Sequence, residues 1–402
     1  MRNRTVFMSF VLLALFLALA PAASARNTWY VDGVNGSDTN DCKSSVTACK
    51  TIGHAISLCS SGDTIMVAPA TYTENLIINF SLKIIGSGAA TTIVDGGGIG
   101  TVFTIGFGTK HVVLSKLTIR NGYTETSGGG INSWGTLTLN NSTITTNSAY
   151  DGGGGIFNGV TLTMNNCIIS SNTVTGGAGG GIYNEGTLTV DHSTINANSA
   201  GVSGGVYGEG GTLTITNSTI SGNSGSVAVG IEILEYSKAT VNNSTVSGNS
   251  ATDDGGGIEN WGTLTINNST ISENSATWGG GIVQELGSVT LQNSIVANNS
   301  AGNCWGTMIS FGYNLSSDST CNFNGPGDMN NTDPRLGTLG NYGGPTQTMP
   351  LLNGSPAIDA GNPNGCTDGN GNLLKTDQRG KPRPDKEDTG GCDMGAYEKQ
   401  SD

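Results

Sequence analysis

One unit recurs through the middle of the chain, and its period constrains the fold more than any other feature. Residues 130–147, GINSWGTLTLNNSTITTN, have close copies that begin at Ile156, Ile182, Val206, Ile231, Ile258 and Ile282. A first polar column runs Asn141, Asn166, His192, Asn217, Asn243, Asn268 and Asn293, in steps of 25 or 26 residues. Six positions later stand Asn147, Asn172, Asn198, Asn223, Asn249, Asn274 and Asn299. Between them lie Ile144, Ile169, Ile195, Ile220, Val246, Ile271 and Val296, and ahead of them Leu139, Met164, Val190, Ile215, Val241, Ile266 and Leu291. Self-similarity at a fixed period of this size means stacked repeats, in which no unit buries its apolar face alone.

Within each unit the apolar and polar residues alternate, as in Thr136-Leu137-Thr138-Leu139, and Thr, Ile and Val dominate. That period of two is the pattern of a strand with one buried face. No period of 3.6 occurs, which excludes helical repeats. Two or three short strands per unit, separated by Gly-rich and Asn-containing corners, describe one turn of a parallel solenoid whose stacked Leu and Ile columns make one continuous core. The Asn columns are expected to be structural: Asn tolerates the αL angles of a tight corner, and amides stacked in register can bond to one another.

The two ends differ from the repeats. Arg2 and Arg4 precede an apolar run from Val11 to Ala20, followed by Ala23-Ser24-Ala25. This order is that of a cleaved secretory signal over residues 1–25. The run is short for a membrane span, and the mature chain is expected to contain none. Residues 26–75 are expected to cap the solenoid, with a short helix at 50–59. The coils are expected over 76–310. From 311 to 402 the composition changes: eight of the ten prolines follow Gly325 and seven basic residues follow Pro334, which predicts a separate, loop-rich module.

Charge narrows the partners. The chain carries 17 basic and 30 acidic residues. Without Arg2 and Arg4 the balance is 15 against 30. Nucleic acid is a poor partner for such a surface, whereas calcium or a neutral or cationic sugar surface is compatible with it. Eight cysteines in an exported chain point to disulfides, and local pairing predicts Cys42–Cys49, Cys304–Cys321 and Cys366–Cys392. Cys59 and Cys167 are left over.

The elements Gly129-Gly130-Ile131 and Ile144 to Asn147 resemble the parallel β-helix repeat family and the short motifs of chlamydial polymorphic outer-membrane proteins. The later segments Gly312-Tyr313-Asn314-Leu315, Asp333-Pro334-Arg335-Leu336, Gly343-Gly344-Pro345-Thr346, Ser355-Pro356-Ala357-Ile358-Asp359-Ala360-Gly361, Asp377-Gln378-Arg379-Gly380, Arg383-Pro384 and Asp393-Met394-Gly395-Ala396-Tyr397-Glu398 resemble the choice-of-anchor Q module of bacterial surface proteins. The resemblance implies an all-β chain: a right-handed, single-stranded parallel β-helix of the pectate lyase-like kind, secreted or held at a cell surface. Such families mix adhesins and carbohydrate-active enzymes.

Candidate site residues were therefore sought in the repeats. Elimination of uronates needs a Lys or Arg base beside acids, and from Gly122 to Asp333 the one Lys or Arg is Lys238. Hydrolysis needs only two carboxylates. One corner gathers acids and aromatics: Trp134, Glu185, Glu209, Glu235, Tyr236, Glu259, Trp261 and Glu285 stand seven to nine positions before the first polar column. Adjacent coils would bring neighbouring carboxylates to ~5 Å. Glu185, Glu209, Glu235 and Glu259 are the catalytic candidates, and Trp134, Tyr236, Trp261 and Glu285 the ligand-binding ones. The corner reads as a glycan-binding strip, a calcium ladder, a hydrolytic cleft or, most plainly, a solvated edge. The leading expectation is a non-catalytic protein that binds glycans or other surfaces; the alternative is a polysaccharide-degrading enzyme, a glycoside hydrolase before a lyase. Asp368, Asn370 and Asn372 resemble the start of a calcium loop, but Arg379 stands where an EF-hand needs Glu, leaving a looser calcium site or a plain turn. Gly201-Val202-Ser203-Gly204-Gly205 matches G-x-S-x-G without the strand–turn–helix context of a nucleophile elbow.

Overall fold

A computed structural model describes residues 26–368, 371–385 and 391–400; the proposed signal segment and Asn370 lie outside the described residues. The alternating runs form strands, and the strands form three long parallel sheets of 12, 11 and 10 strands among the described residues. One coil shows the path. Thr136–Asn140 lies in the first sheet, Thr143–Thr145 in the second, and Ile156–Asn158 in the third, after which Thr161–Asn165 returns to the first. Register sets apolar residue opposite apolar residue on the inward face. Leu137 pairs with Leu162, and Leu139 with Met164. Ile144 pairs with Ile169, and Ile131 with Ile156. All of these side chains are buried in one core that runs the length of the coils.

Of the two roles the sequence assigned to the polar columns, the first column keeps both, its amides bonding coil to coil as in Asn166 to Asn141 at 2.7 Å, and the second keeps one. Residues of the first column take the αL corner: φ is +49° at Asn141, +45° at His192 and +48° at Asn243. The second column does not take it. Asn147 and its equivalents as far as Asn274 are buried, and the αL residue is the one before, such as Thr146 or Ser171. The buried amides instead form a hydrogen-bonded ladder. Asn172 Nδ2 donates to Asn198 Oδ1 at 2.9 Å and to the Ile144 carbonyl at 3.0 Å, while the Asn172 amide N–H donates to the same Asn198 oxygen at 3.0 Å. Asn172 Oδ1 in turn accepts from the main-chain and side-chain N–H groups of Asn147, so the buried amide is matched at both ends, as burial requires.

At the N-terminal end the helix Ile52–Leu58 packs Ile52, Ala55 and Ile56 inward. Thr51 caps it by accepting from the His54 amide, and the Glu74 carboxylate accepts from the Ile52 and Gly53 amides at 2.9 and 2.7 Å. The surrounding cap segment also supplies rungs of the solenoid, since Thr28–Val31 and Thr64–Val67 open the first sheet.

The C-terminal segment lies against the coils. Leu315–Ser316 still pairs with the second sheet, and the later chain lies sideways along that sheet's outer face. Gln378 Nε2 donates to Thr219 Oγ1 at 3.0 Å, and the Ala396 amide to Thr270 Oγ1 at 3.1 Å. Arg383, fully buried, donates to Glu398 at 2.7 Å, to Asn243 Oδ1 at 3.1 Å and to the Gly395 carbonyl at 2.8 Å. Local composition marked this segment as loop-rich; it could not show that the threonines of the second sheet's outer face are its binding partners. Disulfides join Cys42 to Cys49, Cys304 to Cys321 and Cys366 to Cys392. Cys59 and Cys167 remain thiols, and burial pushes them up to about 12 and about 11. No helix among the described residues is long and apolar enough to cross a membrane.

Candidate functional site

The middle residue of each three-residue strand in the third sheet points outward, and register stacks these residues into a row. The row reads Phe157, Tyr183, Tyr207, Glu232, Glu259, Val283 and Trp305. A second row stands one residue past each strand, at Trp134, Gly159, Glu185, Glu209, Leu234, Trp261 and Glu285, fixed by amide hydrogen bonds such as Glu209 to the Asn184 carbonyl and Trp261 to the Ile233 carbonyl. Together they make a strip along the solenoid.

The N-terminal half of the strip is aromatic. Ring centroids are 5.0 Å apart for Trp134 and Phe157, 5.6 Å for Phe157 and Tyr183, and 4.9 Å for Tyr183 and Tyr207. Trp134 lies over Gly159, where a Cβ would come within 2.6 Å of its ring. The Tyr183 hydroxyl donates to Glu209. The C-terminal half ends in two exposed rings, Trp278 at 67% and Trp305 at 49% exposure, which with Asp254, Val283 and Glu285 line a cleft of ≈ 330 Å³.

Between these aromatic ends sit Glu232 and Glu259, register partners on adjacent strands, with only 6% and 4% of their surface exposed. Trp261 Nε1 donates to Glu259 Oε1 at 2.9 Å. The Oε2 atoms of both glutamates are buried without a hydrogen-bond partner. Burial, then the charge of Glu259, pushes Glu232 up to about 8. Burial also raises Glu259, with Glu285 and Asp254 adding to it and the Trp261 hydrogen bond opposing. Burial raises Glu185 as well, and Tyr207 is raised by burial and by Glu232.

The acid–aromatic corner expected from the sequence is thus split. Glu259 belongs to the strand row; Trp134, Glu185, Glu209, Trp261 and Glu285 belong to the corner row. Glu235 and Tyr236 belong to neither, because Leu234 holds the corner position and they stand exposed in a turn just beyond it. Glu232, Asp254, Tyr183, Tyr207, Trp278 and Trp305 escaped the sequence reading. A signal existed: each row residue from Phe157 to Val283 directly follows a repeat start such as Ile156 or Ile182.

For metals, the one group among the described residues that brings three metal-capable side chains within 4.8 Å is Cys42, Cys49 and His54, and its sulfurs are joined in a disulfide. The strip carboxylates do not converge in threes. Asp368 accepts from the Asn372 amide at 2.8 Å and from its side chain at 3.0 Å, the hydrogen bonds of a closed turn.

Residues 203–325 match the family model for a right handed beta helix region. The chain has the fold of a right-handed parallel β-helix. The crystal structure of pectate lyase Pel9A superposes on this β-helix with a TM-score of 0.56 at 16% identity, over 94% of this chain and 97% of that one. A rhamnogalacturonan lyase gives 0.34 at 12% identity, over 82% and 96%, and adds nothing to the fold assignment. No curated protein matches the β-helix.

Proposed function

We propose that the chain is a secreted β-helix that binds an uncharged polysaccharide lengthwise along the strip on its third sheet. The observation that supports this reading is the run of rings: Phe157, Tyr183, Tyr207 and Trp305 fall in one register row, with Trp134 packed on Phe157 and Trp278 lining a cleft with Trp305. Ring faces offer flat apolar platforms with polar edges, suited to the apolar faces of sugar rings. Seven coil steps span about 34 Å, so a chain rather than a single sugar fits.

The charge of the strip favours a neutral ligand. Glu185, Glu209, Asp254, Glu259 and Glu285 would repel a polyuronate. Lys238, the base the sequence offers to the coil body, opens the strand Lys238–Asn242 in the first sheet and lines a hollow with Glu235, Trp261 and Leu286 at the edge of the strip. Lyase chemistry would rest on that single base. Three disulfides agree with an oxidising, extracellular setting. Retention at a cell surface, which the choice-of-anchor Q-like segment implies, is part of the same reading.

Affinity electrophoresis and calorimetry on β-glucan, galactomannan, arabinogalactan and arabinoxylan test it. Saturable binding to at least one, weakened by Trp278→Ala or Trp305→Ala, is expected; no binding to any, or binding indifferent to both variants, would refute it.

A further inference from the structure

We propose that Glu232 and Glu259 form a hydrolytic pair at the centre of the strip, with Glu232 the proton donor and Glu259 the nucleophile, acting on the glycan bound there. The proposal rests on the binding reading above, and its own ground is the state of the two carboxyl groups. They are register partners in neighbouring coils, each more than nine-tenths buried, and each has an Oε2 atom with no partner. A purely structural pair would be matched with donors, since burial of an unpartnered carboxylate is costly and glutamine would serve better. Glu259 is moreover given room: Gly255, at φ +64°, has no Cβ where one would stand 2.8 Å from Glu259 Oε2.

The surroundings make the two groups unlike. Trp261 donates an N–H to Glu259 and so favours its charged form. Glu232 receives no such donor, and burial beside Glu259 keeps it protonated at neutral pH. Divergent proton affinities in neighbouring carboxyls separate an acid from a base or nucleophile. Neighbouring strands lie about 4.8 Å apart, near the ~5–5.5 Å between the carboxyls of retaining glycosidases. With aromatic platforms on both sides, the pair stands where a bound chain would cross it.

In the first step the Glu232 proton passes to the glycosidic oxygen as its bond to the anomeric carbon breaks. A Glu259 oxygen bonds to that carbon, and one half of the glycan leaves as an alcohol. In the second step the oxygen of a water bonds to the anomeric carbon. The ester bond to Glu259 breaks and frees its carboxylate, and a proton of the water returns to Glu232. One water is consumed and no other reactant is needed.

The full chain is incubated with the same four polysaccharides, following reducing ends, unsaturated products and affinity together. We expect reducing ends from a glycan that binds and no unsaturated product. Glu232→Gln and Glu259→Gln should each slow release by ~100-fold or more, with affinity retained and no loss of thermal midpoint, and formate should restore part of the rate in Glu259→Ala. Binding without release in the wild type would overturn the hydrolytic pair and leave the binding reading standing. Release that survives both Gln variants, or an unsaturated product, would also overturn it. Loss of binding altogether would instead remove the reading beneath it.

Discussion

Gln378 accepts a hydrogen bond from the Thr245 hydroxyl at 2.6 Å, joining the end of the chain to the outer face of a coil 133 positions earlier. The same amide donates to Thr219 and Thr346 Oγ1, each at 3.0 Å. The contact is a lateral seam, made by side chains that leave the repeat pattern unchanged.

Arg383 is the test of that seam. Replacing it with Met leaves Glu398 buried without its ion pair and removes the link to Asn243. Breaking one side of a buried pair typically costs 3–5 kcal/mol, so Arg383→Met should lose about 4 kcal/mol in chemical unfolding. A loss below about 1 kcal/mol, the scale of an exposed ion pair, would mean the segment contributes little to the coils.

The ladder and corner columns should respond differently to the same change. Asn172→Gly removes an amide that both donates and accepts in the buried ladder, leaving orphaned groups at about 1–3 kcal/mol each. Asn166→Gly acts at an αL corner with φ +53°, where glycine is at ease, and should stay within ~0.5 kcal/mol. Thermal midpoints of the two variants check this, and equal losses would mean that the columns share one role.

Stability should fall as pH rises. Glu232 ionises near 4.5 when unfolded and near 8 when folded, so the folded state holds the extra proton between these values. The stabilisation is complete below pH 4.5 and is lost on approaching pH 8, by ~3 kcal/mol up to neutrality. Asp393, pushed up to about 7 by burial and by Glu398, acts in the same direction. Glu232→Gln should flatten this slope and raise the midpoint at pH 8; a wild-type midpoint constant across the range would count against a buried, protonated Glu232.

The exposed tryptophans should carry separable shares of affinity. Trp305→Ala, at the end of the row, should weaken binding of a responsive glycan by about 5–10-fold, as expected for ~1 kcal/mol of aromatic contact. Tyr236→Ala, outside both rows, should change it by less than about twofold. Titration calorimetry separates the two, and a larger effect at Tyr236 would move the site into the turn beyond Leu234.

Much of the fold was readable because period and alternation survive in every copy: Leu137, Leu162, Leu188 and Leu213 fall in register without adjustment. The site was less readable because the corner between the third and first sheets changes length. Trp134 stands seven residues before Asn141, Glu209 eight before Asn217, and Leu234 nine before Asn243. Counting back from the polar column therefore placed Glu235 in a row that Leu234 occupies, and passed over Glu232. The seam was not readable at all, since Gln378 and Thr245 share no periodic relation and each is an ordinary polar residue in its own segment.

The position of the seam has a consequence for how such a chain can change length. The C-terminal segment grips coils from Asn217 to Asn293, so a whole repeat inserted or deleted within that span would pull its anchor points out of step. Among the described residues, coils between Gly122 and Thr216 carry no such grip. A unit duplicated there would lengthen the aromatic end of the strip by one ring position and leave the acidic centre and its flank intact, which makes that half of the solenoid the place where reach along a ligand can be varied independently of chemistry.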